Sequence, residues 1–483
     1  MALLDPVFDK DSMLEDIRRI VACGIRRPGY PGDQATQEYL LDRFECIFLE
    51  HIHREPVQVN FWQPTETHLS IESGSGPDFV NVPCFAVPYT QWTSETGLLA
   101  ESVFVGSGSP EDFKNKTIQG KIVVAEMEFG ELNAGLLKTN SYFVVDSEHT
   151  IPEGPLHAAN WLIKNFPVYY EAIKSGAAGF IGILKDNPID GCEFYVPYDG
   201  ALKSLPAVWV ARESREMVAA AARNTKAFQF VSNGVGKQTD SHNLIGKLPG
   251  KGKESIVITC HHDAPFASAV EDASGLSVVL ALAEAFRNRP EPLERNLVFL
   301  ATAGHFHGGI GTQTFVSDHK DDLLRSTVAC LGIEHIAEET ESDGIGGYRK
   351  TGLPEVRALF MDQCPALIKI VEAAVRENAL DRSIAVNAFL FGPEPPCDNA
   401  AFFTAGIPSV CHISGPLYLF DPMDRIDMVR AVDLSKTANV FYDCIMQLDS
   451  MDGELIREGI TRHPDDPPSE RPAWFQSPDT YLK

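Results

Sequence analysis

Two apolar runs in the middle of the chain each end in histidines, and this limits the fold more than any other feature. Residues 257–316 read VITCHHDAPFASAVEDASGLSVVLALAEAFRNRPEPLERNLVFLATAGHFHGGIGTQTFV. Residues 255–260 have the continuous apolar character of a buried strand and deliver His261, His262 and Asp263. Glu271 and Asp272 come next and open an Ala-Ser-Gly turn into an apolar helix. A second apolar strand, 296–302, delivers His305, His307 and a cluster of glycines. Strands apolar on both sides need cover on both faces, which predicts an α/β layering. In an open α/β sheet the ligand crevice lies beyond the carboxyl ends of the strands. Imidazoles and carboxylates gathered there are the donors a divalent transition metal takes.

The remaining chain supports that architecture. After residue 235 the runs IVITC, NLVFLAT, TVACLGIE and PSVCHI alternate with helices at 276–287, 365–377 and 434–448. The expected fold class is α/β, a mixed, mainly parallel sheet flanked by helices. Near the N-terminus, 11–21 and 34–49 read as amphipathic helices around the turn RRPGYPGD, with extended segments at 57–62 and 67–71. A composition shift near residue 85 starts an insertion. It holds GKIVVAEM, a helix at 169–175, GAAGFIGIL, LPAVWVA and a helix at 212–223. The expected division is 1–90 with 231–454 as the catalytic-type domain, 91–230 as the insertion, and 455–483 as a Pro-rich tail.

Charge narrows the partners. The net charge of −26 argues against nucleic acid or an anionic membrane surface. No run approaches eighteen apolar residues, so no membrane-crossing helix is expected. The N-terminus lacks the apolar core of a secretory signal. The ten cysteines are scattered without a CxxC pair and read as reduced thiols in a cytoplasmic protein. The insertion and the tail offer surfaces for a homodimer or higher homo-oligomer.

Taken in order, the motifs resemble the di-zinc aminopeptidases of peptidase family M28. That family has His-x-Asp after a strand, here His261-His262-Asp263. Its Asp-Asn/Asp-Ala-Ser-Gly corresponds to Glu271-Asp272-Ala273-Ser274-Gly275, and its Glu-Glu-x-Gly-Leu-x-Gly-Ser to 305–312. The ligand after the next strand falls on Glu334, the Ser-Asp-His segment on Cys397-Asp398-Asn399, and the final His on Phe420. Within the insertion, the order GKIVV, K-x-GAAGFI, LPAVWV resembles the β-rich protease-associated domain.

The resemblance implies a site with several groups changed. One family metal is held by positions that here are His261, Glu271 and Glu334, all still able to bind a cation. The two unshared ligands of the other metal are Phe306 and Phe420, which cannot. A mononuclear centre is therefore expected, holding one divalent transition metal ion, zinc first, with iron, manganese or cobalt compatible. The family's general base falls on His305, which could act as base or as a further ligand. Asp263 would orient His261, and His307 could take the proton-transfer role or the remaining ligand position. Asp272, Asp398, Tyr418 and the backbone of Gly308 and Gly309 are candidates for substrate contact. His262, His307 and His335 are further imidazoles close in sequence that could support the ligands, although alternation after the strand could point His335 away; His412 reads as a core histidine. The implied activity is metal-assisted hydrolysis of an amide-type bond in a small molecule or short peptide. Two alternatives stand beside it: a non-haem iron oxygenase or lyase on the same scaffold, and a non-catalytic pseudo-peptidase that only binds.

Overall fold

The computed structural model of the chain describes residues 7–73, 78–463, 465, 466 and 482. Its centre is a mixed sheet in which Asn296–Thr302, Ser255–His261, Thr327–Ile333 and Ser409–Ser414 run parallel as neighbours. Arg357–Met361 joins antiparallel to Ser409–Ser414 and parallel to Ser383–Asn387. Alternate side chains of each central strand serve opposite faces. Ile256 and Ile258 pack in one apolar cluster with Leu276 and Leu280 of the helix Gly275–Arg287. Val257, Val298 and Leu300 join Phe315 and Phe402 in another. Burying each of these side chains is worth about 1.5–3 kcal/mol, which fixes the strand register. The helices Lys10–Ala22, Pro31–Ile47, Gly275–Arg287, Pro365–Glu377 and Ala431–Ser450 pack against one another. Among the described residues no helix is long and apolar enough to cross a membrane.

The two extended segments expected at 57–62 and 67–71 are one strand, Glu50–Glu72, with a register shift between Pro64 and Glu66. It pairs along its length with Ala227–Leu248. One end of that second strand pairs with Asn296–Thr302 in the core, and the other with Leu98–Phe104 in the inserted segment. Beyond it lie Ile122–Glu126, Gly179–Ile183 and Ala207–Val210, mutually parallel. The core and the insertion therefore share one continuous sheet.

Part of the segment 91–230 also leaves the inserted sheet. Ser141–Val145 pairs antiparallel with Ser383–Asn387 at the far edge of the core. The hairpin of Phe129–Asn133 and Pro155–Ile163 flanks it. Most of the tail expected at 455–483 lies outside the described residues; the helix Gly453–Arg457 crosses its start.

Candidate metal centre

Parallel neighbours bring their carboxyl ends to one side. His261 closes the strand Ser255–His261, His305 follows Asn296–Thr302, and Glu334 follows Thr327–Ile333. Glu271 arrives from the loop before the helix Gly275–Arg287. His261, Asp263, Glu271, Asp272 and Glu334 are fully buried.

The imidazole of His261 has its Nδ1 2.9 Å from the backbone carbonyl of Asp263, so that nitrogen carries the proton. Its Nε2 then presents a lone pair 2.9 Å from Glu271 Oε1 and 3.7 Å from Asp272 Oδ2. His335 repeats the arrangement. Its Nδ1 donates to the carbonyl of Ser414 at 2.6 Å, and its Nε2 lies 2.8 Å from Glu271 Oε2 and 4.0 Å from Glu334 Oε2. His261 Nε2, His335 Nε2, both oxygens of Glu271 and Glu334 Oε2 are buried, and none is aligned for a hydrogen bond. Imidazole lone pairs facing carboxylate oxygens repel unless a proton or a cation stands between them. Without a cation, protons take that place. Burial disfavours a charged His335, but the Glu271 carboxylate outweighs it and pushes the imidazole up to about 10. Burial likewise works against Glu271, and the two imidazoles override it and hold the carboxyl well below its usual range. Buried nitrogen and oxygen atoms converging in this way suit a divalent ion. His261, Asp272, Glu334 and His335 each offer one ligand atom, all within 4.8 Å of one another; His261, Glu271 and His305 form a second such set.

His335 was expected to point away. The strand ends at Ile333, and His335 has φ of +52°, so alternation stops before it. Both Glu334 and His335 therefore reach the site. Neighbouring groups hold Glu334 in place. Its Oε1 accepts from the Asp398 N–H at 2.9 Å and the Cys411 thiol at 3.0 Å. Its backbone carbonyl accepts from His412 Nδ1, whose imidazole burial pushes down to about 3 and keeps neutral.

Other candidates are placed as follows. The Asp263 carboxylate lies 3.9 Å from His261 Nδ1 and instead accepts the backbone N–H groups of His305 and Phe306, so the Asp263 carbonyl does the orienting. His305 stacks on His261 with ring centroids 4.1 Å apart and places Nδ1 3.6 Å from Asp398 Oδ1. Asp398 also accepts the hydroxyls of Thr302 and Thr312. Asp272 is fixed through Oδ1, which accepts from the N–H groups of Gly275 and His335, while Oδ2 stays turned toward His261.

Three candidates are corrected. His307 packs edge-on against Tyr89 and under Gly200, outside the ligand cluster, because the left-handed Gly304 and Gly308 turn the chain there. Gly308 and Gly309 line the cavity, but their N–H groups are taken by the carbonyls of Tyr198 and His305 and are not free for substrate. Tyr418 is fully buried, its hydroxyl donating to the carbonyls of Glu338 and Met428, and it does not line the cavity.

Phe306 and Phe420 meet edge to face at 5.7 Å, and Tyr198 of the inserted segment stacks on Phe420 at 5.4 Å. Tyr198 gave no signal in the sequence beyond its place in an aromatic run, YVPYDG. Beneath the site, Asp424 accepts the N–H groups of Ala269, Val270 and Glu271 and so carries the loop that presents Glu271. Asp424→Ala is expected to lower stability by about 1–3 kcal/mol, since buried donors lose their acceptor. Denaturant unfolding of metal-stripped protein measures this free of metal linkage; an unchanged midpoint would remove Asp424 from this role.

Residues 243–428 match the model of peptidase family M28. This part of the chain is similar to the peptidase domains of family M28. In fold the chain is similar to a zinc aminopeptidase from Bacillus subtilis, with 16% identity, TM-score 0.68, and 95% of this chain and 100% of that one covered. It is also similar to an aminopeptidase from Aneurinibacillus sp. strain AM-1, at 19% identity and TM-score 0.63, covering 91% of this chain and 94% of that one. A peptidase M28 precursor from Shewanella amazonensis SB2B gives 17% identity and TM-score 0.64, covering 95% and 96%. This coverage takes in the inserted segment as well as the core. No curated protein matches the chain.

Proposed function

We propose that the chain is a metal-dependent hydrolase of amide-type bonds in short peptides or small molecules, working with one divalent ion, zinc. The observation that carries this is the convergence of two imidazole nitrogens, each fixed by a backbone carbonyl, on Glu271 and Glu334. His261, Asp272, Glu334 and His335 would hold the ion, with Glu271 in contact with both imidazoles. Bound there, a divalent ion supplies Lewis acidity toward a carbonyl and lowers the pKa of water. With His335 providing a second imidazole, His305 is released for proton transfer. It stands in the cavity wall, and Asp398 beside Nδ1 leaves Nε2 to take a proton from the attacking water and return it to the leaving amine. The match of residues 243–428 to a peptidase family supports the hydrolytic reading over an oxidative one.

The aromatic group of Phe306, Phe420 and Tyr198 supports a single ion, because it offers no ligand where the family resemblance puts a second metal. Metal analysis of purified protein titrated with zinc is expected to saturate at one ion per chain, with hydrolysis of short peptides lost on chelation and restored by zinc. Saturation at two ions would overturn the mononuclear centre, and failure to retain any would overturn the metal reading.

A further inference from the structure

We propose that Arg26, which lies outside the residues 243–428 that match the peptidase family, is a positioning residue of the metal centre: its guanidinium sets the spacing between His261 and the pair Glu271 and Asp272. The proposal rests on the metal reading above. Arg26 lies in the turn between the helices Lys10–Ala22 and Pro31–Ile47, and its side chain is wholly buried. Its Nε donates to the carbonyl of His262 at 3.2 Å. Its Nη2 donates to the carbonyls of Ser268 and Glu271, each at 2.9 Å.

These acceptors belong to the two stretches of chain that present the ligands. The His262 carbonyl is one peptide away from the Asp263 carbonyl that orients His261. The Glu271 carbonyl is part of the peptide that joins Glu271 to Asp272. A guanidinium is planar and holds its donors in a fixed fork, so its shape sets how far apart these carbonyls stand. A lysine ammonium would supply the charge without that template.

The arrangement is braced from both sides. The Ala264 N–H donates back to the Arg26 carbonyl at 3.1 Å. The turn itself is tight, since a Cβ on Gly32 would come 2.2 Å from the Ile25 carbonyl oxygen. Asp33, just beyond it, accepts from the Gly29 N–H at 2.8 Å and places Oδ1 3.0 Å from His262 Nδ1. Asp424 grips the N–H groups of the 268–271 loop while Arg26 grips its carbonyls, so one charge of each sign holds it. Burial works against the charge of Arg26, and the carboxylates of Asp424, Glu271 and Asp263 offset that in part. An apolar side chain of similar length would fill the volume without this cost, but it could not hold the carbonyls.

The test uses the full chain, with zinc or cobalt alone as the probe, and reads no turnover. Zinc affinity is measured by competition with a chromophoric chelator. Arg26→Met is expected to weaken zinc binding by about 10–100-fold, the usual effect of losing a group that acts through a ligand. Arg26→Lys keeps the charge and is expected to fall between Arg26→Met and the wild type. Visible absorption of the cobalt-loaded protein reports ligand geometry, and its bands are expected to move in Arg26→Lys. Arg27→Lys is the comparison. It loses the 2.7 Å bond from Nε to the Pro265 carbonyl, in the same loop but at neither ligand stretch, and is expected to match the wild type in both readouts. Wild-type zinc affinity and cobalt bands in Arg26→Lys would overturn spacing by the guanidinium. Equal losses in Arg26→Lys and Arg27→Lys would overturn it too, because they would mark a general loosening of the loop. If circular dichroism shows Arg26→Met unfolded, Arg26→Lys decides alone. A wild-type chain that retains no zinc would overturn the metal centre and this proposal with it.

Discussion

His335→Ala is expected to empty the metal centre and leave the fold standing. The side chain carries one of two imidazole nitrogens aimed at Glu271, and its Nδ1 bond to Ser414 fixes that aim. Metal affinity should fall by more than the roughly 10–100-fold that outer-sphere partners carry. Hydrolysis should fall by about 10³-fold or more, since a Lewis acid supplies several kcal/mol to the transition state. His261→Ala should behave alike. The measurement is the zinc-to-protein ratio after gel filtration, with circular dichroism to confirm the fold. Full zinc occupancy in His335→Ala would return the second imidazole role to His305, the other ring within reach of His261 and Glu271.

His305→Ala is expected to do the opposite, keeping the metal and losing the rate. A positioned acid–base group is worth about 10²–10⁴-fold, and the loss should fall on kcat with KM little changed. Asp398→Asn should produce a smaller loss in the same parameter, since Asp398 acts through the His305 ring 3.6 Å away. A drop in zinc content in His305→Ala would make the residue a ligand. Unchanged zinc and unchanged kcat would remove it from both roles.

The layered fold could be read from the sequence because continuous apolar strands and amphipathic helices are local signals. The strand ends carrying His261, His305 and Glu334 followed from them. His335 did not, because a single left-handed residue after Ile333 breaks the alternation that sequence reading depends on. The role of Asp263 was misplaced for a related reason. Its spacing suits orientation of His261, but only coordinates separate its carbonyl, at 2.9 Å, from its carboxylate, at 3.9 Å. Tyr198 and Trp161, which line the cavity, were invisible as site residues. They lie in the insertion, more than fifty residues from the nearest ligand, and no pattern within 91–230 announces that its hairpin folds back over the core.

The paired strands Glu50–Glu72 and Ala227–Leu248 run from the core sheet into the inserted one, with a register shift between Pro64 and Glu66. That ladder ties the insertion to the core through backbone hydrogen bonds, and the strand Ser141–Val145 ties it again at the far edge of the core. The 129–163 hairpin is fastened to the core separately, by Asn160 at the Leu417 carbonyl and His157 beside Glu355.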